Sequence, residues 1–125
     1  MNEIEQRLKE IKIENWIWVI YIGIIFLSWY ANRQEKHYFI YKDEESRKKY
    51  RNLLILIFSI LLVVYIYFTK DSYEDIQKLT NAESPKKKTL TYLSFLGSVL
   101  ILISGVFFLI IAIEDENIDT EIAFS

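Results

Sequence analysis

Three groups of residues in this chain have types and spacings that chemistry uses. Gly97-Ser98, inside an apolar run, matches part of an intramembrane serine protease motif. A serine nucleophile needs a base to take its proton. The one histidine, His37, lies in a charged segment outside the apolar runs, so Ser98 has no base near it in sequence. No flanking residues suggest a triad or a metal site at His37, which reads as a solvated or interfacial side chain. Asp115, Asn117, Asp119 and Glu121 set oxygen ligands at alternate positions, as the opening of a calcium loop does. Thr120 stands where that loop needs Gly, and no Glu follows at the twelfth position. The same alternation puts Ile118, Thr120, Ile122 and Phe124 on one side, which suits a partner-binding strand or else a disordered acidic tail. Arg47, Lys48, Lys49 and Arg51 could meet nucleic acid or anionic lipid. Their place at the edge of an apolar run makes lipid headgroups the plainer contact, with no nucleic acid implied.

Several chemistries are excluded by composition. The chain has no Cys, which removes disulfides, thiolate metal sites, palmitoylation and a Cys nucleophile. Charged groups inside a span mark ion and proton pathways, and the apolar runs contain none, which argues against active transport. The expectation is a non-enzymatic protein with no cofactor, no metal and no evident small-molecule substrate.

The elements that must position these residues follow from where the charges fall. Fifteen Lys/Arg and seventeen Asp/Glu all lie outside three runs, 16–31, 53–68 and 90–113. A soluble amphipathic helix would place a charge every three or four residues on its wet face. Even a soluble bundle of three buried helices would show polar outer faces, and these runs have none. At about 1.5 Å per residue, sixteen residues reach roughly 24 Å and twenty-four reach roughly 36 Å, against a hydrocarbon core of about 30 Å. The first two runs need their flanks, and Lys12, Arg51 and Lys70 can snorkel to headgroup level. Trp16, Trp18, Trp29, Tyr30, Tyr65, Tyr67 and Tyr92 fall at the run ends, where amphipathic rings favour the interface. The first fifteen residues carry four acids and three bases, unlike a signal peptide, so the first run reads as a retained anchor.

These points predict three transmembrane helices over about 13–31, 51–69 and 89–113, followed by an acidic tail, 114–125. Ile4, Leu8 and Ile11 extend the first helix towards the N-terminus. Asn32–Asn52 reads as the first connection, with Asp43, Glu44 and Glu45 as N-cap and acidic first turn of a second helix that starts before the membrane. Tyr73, Ile76 and Leu79 carry that helix past its apolar run. Ser84-Pro85 is an N-cap followed by a proline at N1, so the third helix starts there. Asn81–Ser84 is then a tight turn, and helices two and three form an antiparallel hairpin. Lys and Arg divide eight against seven between the two sides, so the positive-inside rule leaves the orientation open.

Helix three carries a seam of small residues, Ser94, Gly97, Ser98, Ser104 and Gly105, with Ala112 beyond. Small residues let backbones approach in lipid, and serine hydroxyls can bond across helices. The seam serves packing within the chain, where Gly23, Ser28 and Ser59 could meet it, or a subunit interface. A pore lining would need more polar groups.

The Ile/Lys/Asn/Tyr-rich composition and the ending FFLIIAIEDENIDTEIAFS resemble uncharacterised small multi-pass membrane proteins of AT-rich genomes, large DNA viruses among them. The likeness covers helix three and the tail, and it implies a membrane address and no activity. The expected fold is all-α: an integral membrane protein of three transmembrane helices with helical extensions. Its expected role is structural or accessory, acting on the lipid bilayer and on a second copy or a membrane-protein partner. The alternative is a holin-like oligomeric permeabilising protein.

Overall fold

A computed structural model describes residues 2–115. They form three helices: α1 over Glu3–Tyr41, α2 over Glu44–Gln77 and α3 over Pro85–Glu114. The described residues contain no strand. The helices have 39, 34 and 30 residues. That makes them roughly 58, 51 and 45 Å long, all greater than the hydrocarbon thickness of about 30 Å. By length and composition each can cross a membrane. Only 11, 22 and 11% of the residues in their most apolar stretches are buried within the chain. The protein does not cover these surfaces itself, which is the pattern of helices whose solvent is lipid.

The helix ends follow local chemistry. Asn2 caps α1, its side chain accepting from the Glu5 amide at 2.7 Å, and Glu3 and Glu5 suit the positive end of the helix dipole. Asp43 caps α2 by accepting from the Glu45 amide at 3.1 Å. Ser84 caps α3 through the Lys87 amide at 3.1 Å, with Pro85 in the first turn, where the sequence placed it. The stop of α1 is less usual. Lys42 adopts a left-handed conformation, φ 54°, and its amide bonds the Tyr38 carbonyl at 2.6 Å. A residue with a Cβ pays for that conformation. The Lys42 ammonium lies 5.7 and 5.6 Å from the ring centres of Tyr38 and Phe39, close enough for a cation–π contribution.

The first connection is far shorter than the charge pattern implied. Residues 32–52 hold no Pro and no Gly. Nothing breaks the helices there, and they grow in from both sides until only Lys42 and Asp43 remain between them. The second connection spans residues 78–84.

Helix α2 is central. It packs on α3 and on α1, while no Cα of α1 lies within 8 Å of one in α3. α1 and α3 therefore both pack on α2 without packing on each other. The core runs along α2 through Tyr50, Leu54, Ile57 and Phe58, and takes Ile24 and Ala31 from α1 and Ala112 from α3.

Three points fasten α3 to α2. At one end the Arg51 guanidinium donates to the Ala112 carbonyl at 3.4 Å and also to the Ile113 carbonyl. These are carbonyls that the end of a helix leaves without partners, and a cation there also suits the dipole. In the middle the Tyr65 ring lies against Gly105, where an added Cβ would sit 3.0 Å from a ring carbon. At the far end Ser98 donates to the Ser94 carbonyl at 3.0 Å, so its oxygen accepts from the Ser72 hydroxyl, also at 3.0 Å. Thr69 donates to the Tyr65 carbonyl at 2.8 Å and shares that proton with the Ser98 carbonyl at 3.2 Å.

Candidate functional site

A groove of about 870 Å³ lies between α1 and α3, floored by α2. Ile25, Trp29 and Asn32 stand on the α1 wall, and Ile101, Ser104 and Phe108 on the α3 wall. Ile57, Leu61 and Tyr65 form the floor. The lining is mainly apolar, with a few hydroxyls and one amide. That composition can hold a hydrocarbon chain or a helix.

The small-residue seam divides between two faces. Ser98, Gly105 and Ala112, at heptad spacing, meet α2: Ser98 through Thr69 and Ser72, Gly105 under the Tyr65 ring, and Ala112 in the core beside the Arg51 bond. Ser94, Gly97 and Ser104 do not. Ser94 and Ser104 are exposed, Ser104 spending its hydroxyl on the Leu100 carbonyl at 3.0 Å. Apart from its own helix backbone, nothing lies within 4 Å of a Cβ built on Gly97. Gly97 does not line the groove itself; it precedes the first of the lining residues Ile101, Ser104 and Phe108 by a helical step of four.

Arg47, Lys48, Lys49 and Arg51 sit at the start of α2. Arg47 pairs with Glu44 at 2.7 Å and Lys49 with Glu45 at 3.5 Å, both within the first turns of α2. Lys48 is exposed. Arg51 turns onto the α3 carbonyls. Lys48 and Lys49 face outward, the Lys49 side chain being 51% exposed against 17% for Arg47, while Arg51 works within the fold.

No family model, curated protein or solved structure matches this chain.

One cluster was not legible in the sequence. Ser46 is buried, its Oγ donating to Asp43 Oδ2 at 3.1 Å, with His37 Nδ1 2.8 Å away. Asp43 Oδ2 is 3.6 Å from the same Nδ1. These residue types make a hydrolytic triad elsewhere, but the order here differs. In a triad the serine gives its proton to one imidazole nitrogen while the acid holds the other. Here Ser46 Oγ and Asp43 Oδ2 both lie on the Nδ1 side of the ring, at 2.8 and 3.6 Å, so the acid does not hold the far nitrogen. The cluster ties the end of α1 to the cap of α2 across the two-residue turn. The signal that could have found it is the Asp-x-x-Ser spacing at a helix start, with a histidine one and a half turns before the helix break.

A second cluster lies where the start of α1 meets the end of α2. The charges of Glu10 and Glu14 on α1, and of Glu74 and Asp75 on α2, are felt at Asp71. Burial, then the charges of Asp75, Glu10, Glu14 and Glu74, push the Asp71 carboxyl up from its ordinary value. Arg7 answers part of this charge, reaching Glu10 at 3.2 Å and Glu14 at 4.0 Å. Among the described residues no group of three or more such side chains could hold a metal ion. Of the acidic tail only Glu114 and Asp115 are described; the alternating ligand and strand patterns of 115–124 otherwise lie outside the described residues.

Proposed function

We propose that this chain is a multi-pass integral membrane protein of a structural or accessory kind, and that its groove receives another transmembrane helix. The observation that supports this is Gly97. In lipid, association relies on close backbone approach and packing, since apolar side chains gain nothing by leaving lipid tails. Gly105 serves such an approach inside the chain, under Tyr65. A Cβ at Gly97 meets no other part of the chain within 4 Å, and Gly97 precedes the groove-lining Ile101 by one helical step of four residues. Lys48 and Lys49, outward at the start of α2, are placed for anionic headgroups.

The test is the size of the particle in nanodiscs, by native gel or mass photometry, for wild type and Gly97→Leu. The wild type is expected to be larger than one chain. Gly97→Leu is expected to keep its helicity and melting point while the particle shrinks towards a single chain. An unchanged particle, or a wild type that is a bare monomer, would remove the proposal. Loss of membrane potential on induced expression, abolished by the same substitution, would replace it with the holin-type reading.

A further inference from the structure

The helix that best fits the groove is α1 of a second copy. We infer that this chain forms a parallel two-fold dimer in which an exposed heptad seam of α1 pairs with the same seam of its partner. The inference rests on reading the groove as a helix site.

The seam advances along α1 in alternating steps of four and three. It opens with Ile4, Leu8 and Ile11 and closes with Ile25, Trp29 and Asn32. This is the spacing that keeps one stripe facing a partner helix. It is a different stripe from the one that meets α2, which buries Ile17, Ile24 and Ala31. The two differ by one residue, about 100° around the helix, so α2 cannot cover both. The residues of the second stripe stand open: Ile4 is 72% exposed, Leu8 61% and Trp29 67%.

Lipid does not account for the whole stripe. Leu8 and Ile4 lie roughly 8 and 14 Å beyond residue 13 along an unbroken helix. Hydrocarbon reaches neither, and water disfavours both. A covering helix must therefore continue past the bilayer surface alongside α1, as α1 itself does. Two further features point to a copy of the same helix. Asn15 falls at an a position, where two such amides in a parallel pair bond each other and fix the register. Residues 3–12 carry three acids and three bases, so two copies approach without net repulsion. The flanks set Arg7 of one copy near Lys12 of the other, but Glu10 and Glu14 already hold Arg7. The area also suffices. Each indole offers roughly 150–250 Å², and with the aliphatic residues the stripe approaches the roughly 800 Å² per partner of a stable interface.

Two-fold symmetry closes the assembly. Copies inserted the same way round are related by an axis along the membrane normal, which sets α1 parallel to its equivalent. Each α1 then also fills the groove of the other copy, beside Ile101 and Ser104.

Because the chain has no Cys, single cysteines report without background. Leu8→Cys and Ile11→Cys are expected to give oxidised dimers in membranes. Gln6→Cys and Lys9→Cys, at the same depth on other faces, are expected to give about tenfold less. Dimers formed equally on all faces, or on none, would overturn the inference. Leu8→Glu is expected to reduce dimer at least tenfold with helicity unchanged, and co-expression with Leu8→Lys to restore it through the mixed pair. A charge effect without rescue also counts against it. If Gly97→Leu shrinks the particle while α1 never cross-links, the groove receives a different helix: the inference falls and the proposed function stands.

Discussion

Two glycines on α3, about two turns apart, should respond oppositely to one change. Leu at 105 meets the Tyr65 ring, and a forced fit of this kind costs about 1–3 kcal/mol. Leu at 97 has open space around its Cβ and exchanges a poor helix former for a good one, so the isolated chain should hold or gain up to about 0.8 kcal/mol. Steric-trap or denaturant unfolding in detergent measures both. Asp71 makes a pH-dependent prediction. An acid whose pKa is raised on folding holds its proton better folded than unfolded, so its contribution to stability falls as pH rises from 3.8 through the raised value. Asp71→Asn should melt higher than wild type at pH 7, and the gap should close as the pH approaches 4. A gap that widens on acidification would mean that Asp71 is held by a cation instead. The glycine types were plain in the sequence, but which glycine faces α2 was not. The two positions differ only by their phase around one helix, and that phase is set by α2.

At the scale of elements, the Arg51 bond to the end of α3 should be worth about 1–2 kcal/mol, because it combines a charged donor, two orphan carbonyls and the dipole. Arg51→Met should cost that much and should fray Ile111–Glu114 first, seen as faster amide exchange there. Ser98→Ala should cost less, about 0.6–1.7 kcal/mol, in line with interhelical hydrogen bonds in lipid. The three helices and their caps could be read from local rules: Asp43, Ser84 and Pro85 act within a few residues of themselves. The start of α2 at Asp43 was legible, but the extension of α1 through 32–41 was not, because charge marked that stretch as connection outside the membrane. Helices extend through water when no Pro or Gly stops them. The Arg51 bond spans 61 residues of sequence, and the His37–Ser46–Asp43 cluster requires both helix ends to meet, so neither had a local signature.

At the scale of the molecule, little of the apolar surface is covered by the chain. In buffer without detergent the protein should aggregate, whereas a monodisperse monomer there by light scattering would contradict lipid as its surroundings. The groove could not be read in the sequence, since it is an absence of contact between α1 and α3 and depends on where α2 places them. The seam on α1 was visible only in part: Ile4, Leu8 and Ile11 marked a helix, but not that a neighbour would leave their stripe open.

The turn at Lys42 and Asp43 has a consequence for the way the bundle can open. From Tyr41 to Glu44 the backbone reaches about 11 Å at full stretch, whereas wedging a helix between two others needs their axes some 16–20 Å apart. The α1–α2 edge is thus stitched like the spine of a book. Among the described residues no direct strap ties α1 to α3, and a visitor enters by the fore-edge.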